Sequence, residues 1–225
     1  MIAVGKLGEV FQFLDSIGFG ETVLVEYTSP NYTLDFMVLL LKRYADDRGH
    51  PFVVDDHLDT LHVINEHLRF FGVRGVFDDA VVLKTGGIIN VGKVVDRVKM
   101  ESEASIYLRQ YEEASARVFS NLSDSINVVI GLEKLFAFVK DYRNFYEIIS
   151  SIDRFLGNRK RKAFYLLDRN ICERIPLNPL PELEKIASTF LDVKLDGNRL
   201  IGRICKSPDI RMMGWEIEVS VEDIL

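Results

Sequence analysis

The chain has little of what marks a secreted, membrane-spanning or disulfide-built protein. Cys172 and Cys205 are the only cysteines among 225 residues. Two isolated cysteines without a C-x-x-C pair point to reduced thiols in a cytoplasm, with a single disulfide as the alternative. The longest unbroken apolar run is Phe36 to Leu41. That is far short of the roughly 20 residues needed to cross a bilayer, so no membrane partner is expected. Neither an apolar h-region nor a small-residue cleavage site accompanies Lys6 and Glu9, and no signal peptide is expected. Positive charge is also short: 28 Lys and Arg stand against 34 Asp and Glu, a formal net charge of −6. Binders of duplex nucleic acid ordinarily carry a basic field that recruits phosphate, which counts against that partner class. No Pro/Gly/Ser-rich linker, internal repeat or low-complexity segment divides the chain.

What is present is a core. With 48% hydrophobic residues, the length suits one domain spanning 1–225. Leu7, Val10, Phe11 and Leu14 form one stripe of a first helix from Val4 to Ile17, ended by Gly18 and Gly20. Thr22 to Glu26 reads as a buried strand. Ser29 then caps a helix with Pro30 at its first position. Leu34, Met37, Val38, Leu41 and Ala45 keep its 3.6 period, while Phe36, Leu39 and Leu40 make the other side apolar too, so this helix is expected between layers. The alternation continues with strands at 51–54, 80–83, 127–130 and 163–167. Helices are expected at 58–71, 103–119, 135–149 and 181–190. Short apolar strands alternating with helices indicate α/β architecture with a mainly parallel sheet. Toward the C-terminus, Asp196-Gly197 is a hairpin signal between Val193–Leu195 and Leu200–Ile201. Trp215, Ile217, Val219 and Val221 alternate with Glu216, Glu218, Ser220 and Glu222, so 191–225 is expected to extend the sheet antiparallel, with Trp215 in the core or at its edge.

This order of elements resembles a RecA/KaiC-like P-loop domain, with 1–19 as its capping helix. Gly20-Glu21-Thr22-Val23-Leu24-Val25-Glu26 resembles the lead-in to a phosphate loop, Phe52-Val53-Val54-Asp55-Asp56 a strand ending in paired carboxylates, and Asn127-Val128-Val129-Ile130 a Walker B strand. More narrowly, the chain resembles an uncharacterised archaeal family of degenerate P-loop-like proteins. The resemblance implies a three-layer α/β/α RecA-like fold with a C-terminal antiparallel β-hairpin extension.

The chemistry the resemblance would bring is missing from the residues. A Walker A motif needs glycines that wrap backbone around phosphates, a lysine that neutralises them and a hydroxyl for Mg²⁺. With Tyr27 at the first glycine, Tyr32 takes the second, Thr33 the lysine and Leu34 the hydroxyl. One residue earlier, Thr33 takes the hydroxyl, but Glu26 and Asn31 replace the glycines and Tyr32 the lysine. Pro30 removes one N–H donor. Loss of the lysine alone is expected to weaken phosphate binding about ten- to hundredfold. Gly131 stands where the Walker B strand would end in aspartate, and Glu133 substitutes only if the chain bends back. Asp55 and Asp56 are the candidate catalytic residues if the chain is active, since paired acids at this strand end polarise the attacking water in KaiC-like patterns. Helix capping by Asp55, Asp56 and Asp59 is the competing and favoured reading.

Other clusters carry less. His57, His62 and His67 are five residues apart and cannot share a helix face, whereas Asp59, His62 and Glu66 share the polar face of an amphipathic helix, so no metal is expected. Gly86-Gly87 with Gly92-Lys93 reads as a flexible connection. Arg159-Lys160-Arg161-Lys162 reads as a solvated turn, with a phosphate-contacting patch as the alternative. The expectation is therefore a non-enzymatic cytoplasmic protein without cofactor. It acts through protein or peptide contacts, self-association included, and Tyr27, Thr28, Ser29, Pro30, Asn31, Tyr32, Thr33 and Phe36 form the degenerate phosphate loop or partner site. A nucleotide-binding protein or weak ATPase using Asp55, Asp56 and Thr33 is the first alternative. A nucleic-acid-binding accessory protein is the second.

Overall fold

A computed structural model of the chain describes residues 7–28, 30–101 and 103–225. The elements in chain order are α1 (Leu7–Ser16), β1 (Thr22–Tyr27), α2 (Thr33–Arg48), β2 (Phe52–His57), α3 (Thr60–Phe70), β3 (Val81–Thr85), β4 (Lys93–Val98), α4 (Ala104–Ser120), β5 (Ser125–Ile130), α5 (Leu132–Ala137), α6 (Tyr142–Arg154), β6 (Arg161–Asp168), α7 (Arg169–Cys172), α8 (Leu180–Ile186), β7 (Thr189–Asp196), β8 (Arg199–Lys206), β9 (Glu216–Ser220) and α9 (Val221–Ile224). Among the described residues, nine strands form one sheet in the order β4-β3-β2-β5-β6-β1-β7-β8-β9. The pairs from β4 through β7 are parallel, and β8 and β9 add antiparallel strands at one edge. The expected three-layer α/β/α arrangement is what forms, because helices must cover both faces of a buried parallel sheet.

The period of two along each strand divides the core. Val23, Val25, Val54, Val82, Val128 and Phe164 face α1, α2 and α3. Leu24, Leu83, Val129 and Tyr165 face α4, α5, α6 and α8. Helix α2 is buried on nearly every side, as its two-sided apolar pattern requires, and Val38, Leu39 and Tyr44 have no exposed surface. Truncating Leu39 to Ala would cost about 2–5 kcal/mol by opening a cavity there. Gly49, at φ +69°, ends α2 with a left-handed cap.

Several expectations need correction. The first helix is described from Leu7, and its expected start at Val4 lies outside the described residues. The stretch after Gly86-Gly87 is not a loop throughout, because Lys93–Val98 forms β4. It is an edge strand in which only Val98 is buried, and its charged residues hide it from a search for apolar runs. The helix expected over 135–149 is two helices, α5 and α6, with Asp141 capping the second through the Asn144 amide. Helix α8 stops at Ile186, and Phe190 belongs to β7. Trp215 is 61% exposed, not core, while Glu218 on the expected wet face is buried beside Arg199.

Arg161 and Lys162 are the largest surprise. Neither is solvated or available to a phosphate: they are 1% and 4% exposed, inside β6. The Arg161 guanidinium lies between the rings of Phe119 and Phe155, 5.5 and 5.1 Å from their centroids, and donates to Asn127 Oδ1. Lys162 Nζ donates to Leu14 O and Tyr44 Oη at 2.9 and 3.0 Å, which ties β6 to α1 and α2. Only Arg159 and Lys160 of the basic run are exposed.

Candidate functional site

In this architecture the carboxyl ends of the parallel strands are where ligand chemistry is normally built. There β1 runs to Tyr27 and α2 begins at Thr33, leaving five residues between them. Pro30 is therefore an exposed turn residue and not the first residue of the helix, and the expected cap Ser29 lies outside the described residues. Asn31 supplies the local bonds instead. Its Oδ1 accepts from the Thr33 amide at 3.1 Å and from the Thr33 hydroxyl, so this hydroxyl is engaged and fully buried. Thr28 is half-buried and Asn31 exposed.

The aromatic residues of this loop divide. Tyr27 and Phe36 are buried, at 5% and 3% exposure. Burial, aided by the nearby Glu133, Asp168 and Asp35 charges, pushes the Tyr27 hydroxyl pKa up. Tyr32, half-open to solvent, turns toward α3. Its ring centroid lies 5.0 Å from Phe71, 5.3 Å from His67 and 6.3 Å from Phe36, all edge-on. Beneath it His67 Nδ1 is 2.8 Å from Asp35 Oδ1. Burial raises the Asp35 pKa, and His67 opposes the shift. Phe70 beside this cluster is 86% exposed.

Asp55 and Asp56 are not at a strand end. β2 continues through His57, so the two carboxylates point to opposite faces of the sheet, and both are 1% exposed. On the α4 face, Asp55 Oδ2 accepts from Asn127 Nδ2 at 2.9 Å, and burial raises its pKa against that bond and the Arg161 charge. On the α3 face, Asp56 accepts from the Leu61 amide at 2.9 Å and pairs with Lys84 Nζ at 2.6 Å. Capping is thus the role of Asp56, and Asp55 has none there. Lys84 also holds Asp59, 2.7 Å away, whose carboxylate accepts from the Ile88 and Ile89 amides. Asp59 is burdened by desolvation, yet Lys84 and these amides keep its pKa below the usual value. The Gly86-Gly87 connection is therefore pinned, with both glycines at positive φ. A Cβ on Gly87 would lie 2.6 Å from the Asp59 carboxyl carbon.

The three histidines do not lie along one helix, because His57 is in β2 while His62 and His67 are in α3. Among the described residues no group of three or more His, Cys, Asp or Glu side chains is placed to hold a metal ion. Nor is any helix there long and apolar enough to cross a membrane. Both cysteines are free thiols, Cys172 buried and Cys205 partly so.

After β5 the chain does bend back. Gly131, at φ +72°, lets α5 start at once, and a Cβ there would meet Thr60 and lie 2.7 Å from His57 O. This turn carries Glu133 inward to 2% exposure, with Oε2 unpartnered among the described residues. Burial pushes its pKa up to about 7, with Lys134 opposing and Asp168 adding. Glu26, also 2% exposed, pairs with Arg169 at 2.8 Å, and burial raises its pKa despite that partner. Glu26, Glu133 and Asp168 together raise the pKa of the buried Cys172 thiol, after burial itself. Sequence reasoning had Glu133 only as a substitute at the Walker B position and missed its grouping with Glu26 and Asp168 around Tyr27 and Cys172. The available signal was a glutamate in the otherwise apolar, wholly buried strand TVLVEY.

The chain belongs to the family described as "Pyrococcus protein of unknown function, DUF257", whose model matches residues 12–218. A solved structure of protein PH0250 from Pyrococcus horikoshii OT3 is 26% identical, covering 95% of this chain and 98% of that one, with a TM-score of 0.77. The KaiC-like protein PH0186 from the same organism is 14% identical, covering 88% of this chain and 84% of that one, with a TM-score of 0.57. At that identity the likeness shows the fold alone. No curated protein matches the chain.

Proposed function

We propose that this member of the Pyrococcus family of unknown function is a KaiC-like domain whose Walker sites have degenerated and which acts through contacts with protein. The observation that carries the reading is the division of Asp55 and Asp56 across the sheet, each buried and engaged by Asn127 or Lys84. Polarising a water requires a carboxylate within hydrogen-bond reach of it, and neither is presented to solvent. The residues at this end do not fit a nucleotide with Mg²⁺. The loop lacks glycine and lysine, Thr33 Oγ1 is bonded to Asn31, and Glu133 is turned inward at 2% exposure.

The contact half of the proposal is supported by the aromatic surface that replaces the phosphate site. Tyr32 and Phe71, 43% and 38% exposed, pack edge-on against Phe36, and Tyr32 also against His67, while Phe70, next to Phe71 in the chain, is 86% exposed. Aromatic side chains backed by packed neighbours are the residue type that carries contact energy between proteins. Sedimentation over a wide concentration range, with Phe70→Ser as the control, tests self-association. Cross-linking with mass spectrometry tests a different protein partner. Adducts centred on Tyr32 and Phe70 that vanish in the variant support the reading. A monomer at all concentrations with no specific cross-link contradicts it.

A further inference from the structure

The loop between β3 and β4 is held by more bonds than a connection requires. Asp59 accepts from the Ile88 and Ile89 amides at 2.9 and 3.0 Å. The Arg97 guanidinium donates to Gly87 O at 2.8 Å and to Asn90 Oδ1 at 2.6 Å, and the Gly86 amide donates to Val98 O at 2.9 Å. The anchor itself is strained. Leu58 and Asp59 are consecutive non-glycine residues in the left-handed region, at φ 53° and 58°. A leucine rarely adopts that backbone, and such strain persists only where the surrounding contacts impose it. What this fixed loop presents to solvent is apolar, with Ile88 87% and Ile89 40% exposed. A loop already held in place has little freedom left to lose on association, so an exposed isoleucine on it is suited to enter a recess.

Such a recess adjoins the loop. It opens between α4, α5 and α6 with a volume of about 470 Å³, and Met100, Tyr107, Leu135, Phe138, Val139 and Ile148 make its apolar lining. Met100 joins the two features, because its Cγ and Sδ would lie 3.3 Å from a Cβ placed on Gly86 at the base of the loop. Projection and recess therefore share one surface. A two-fold dimer requires this arrangement, since its interface is one patch used twice and both halves of every contact must lie on it.

Charge is arranged in the same sense. Arg97 and Lys99 are exposed on the loop side, while Glu101 and Glu103 are exposed just before α4, with Glu101 lining the recess. Lys99, Glu101 and Glu103 make no ion pair among the described residues. The other charges lining the recess, Lys140 and Asp141, are of opposite sign and leave it net acidic. A second copy turned about a two-fold axis sets the basic flank of each loop against the acidic flank of the other recess.

We propose that this surface is a two-fold interface between copies of this chain, in which Ile88 of each copy enters the recess of the other. There it packs against Phe138 and Val139 of the second copy, and Lys99 of each copy faces Glu101 of the other. The aromatic surface of Tyr32 and Phe70 takes no part in this contact, so neither reading depends on the other.

Sedimentation of the full chain from micromolar to millimolar concentration is expected to show a dimer forming. Ile88→Asp puts a carboxylate into an apolar recess and is expected to weaken association at least about tenfold. Because Ile88 is exposed in the single chain, the fold should be kept, which circular dichroism checks. Phe70→Ser should leave this dimer unchanged. Lys99→Glu should weaken it, and Lys99→Glu combined with Glu101→Lys should restore it. Under oxidation, Ile88→Cys chains mixed with Val139→Cys chains should give a disulfide between positions 88 and 139, identified by mass spectrometry. A monomer throughout, an Ile88→Asp chain that associates as tightly as the parent, or no link between 88 and 139 would each overturn the proposal. Association lost in Phe70→Ser but kept in Ile88→Asp would overturn it too, while supporting the aromatic surface.

Discussion

Glu133 sits at 2% exposure in the first turn of α5, and its displaced pKa makes a prediction about stability that can be worked through. In the folded chain it holds its proton up to about pH 7, against an ordinary glutamate value of 4.5. Between those limits the folded state binds more protons than the unfolded state, so stability falls as pH rises. Below about pH 4.5 the residue has no effect, and above about pH 7 the full penalty is present. At about 1.4 kcal/mol per pH unit, the penalty at pH 8 is about 3 kcal/mol as an upper figure. Glu133→Gln keeps the shape of the protonated acid and removes the titration. The variant is expected to match the parent near pH 4.5 and to be more stable at pH 8 by up to about 3 kcal/mol. Guanidinium unfolding of both proteins at several pH values between 4.5 and 8 reads this directly. Asp35, Asp55 and Glu26, whose pKa values are also raised, are common to both proteins and largely cancel in the difference. A stability difference that does not change with pH would refute the reasoning, as would a glutamine variant less stable at pH 8.

Two further outcomes follow from buried charge. Lys84→Met leaves Asp56 buried without its cation, and denaturant unfolding should show a loss of about 3–5 kcal/mol, part of it recovered by adding Asp56→Asn. Arg161→Ala strands Asn127 and empties the space between Phe119 and Phe155, so a loss of more than about 2 kcal/mol is expected, whereas Arg159→Ala at the surface should stay within about 0.5 kcal/mol. Similar small losses for both arginines would mean that the basic run is solvated after all.

Much of the fold was legible because periodicity is local. TVLVEY and SINVVI are buried at every position and read as central strands, and the two-sided apolar pattern of α2 required a place between layers. Strand β4 was not legible, since an edge strand presents Lys93 and Arg97 to solvent, carries the half-buried Asp96 between them and resembles a loop in composition. The burial of Arg161 and Lys162 depends on Phe119, Leu14 and Tyr44, distant in sequence, as well as on the nearer Phe155. The side on which Asp55 and Asp56 fall depended on where β2 ended, and its continuation from the expected residue 54 to His57 put the two carboxylates on opposite faces of the sheet. Of the expected loop site, Tyr32 and Phe36 come together with α3, while Tyr27 joins an acidic interior that residue types alone did not announce.

The central claim is that the KaiC-like fold persists here without its nucleotide chemistry. Calorimetric titration with ATP and ADP, with and without Mg²⁺, at protein concentrations that register a millimolar dissociation constant, tests it most directly. The account predicts no Mg²⁺-dependent heat. Tight, Mg²⁺-dependent binding that is lost on Asp55→Asn or Asp56→Asn would contradict it.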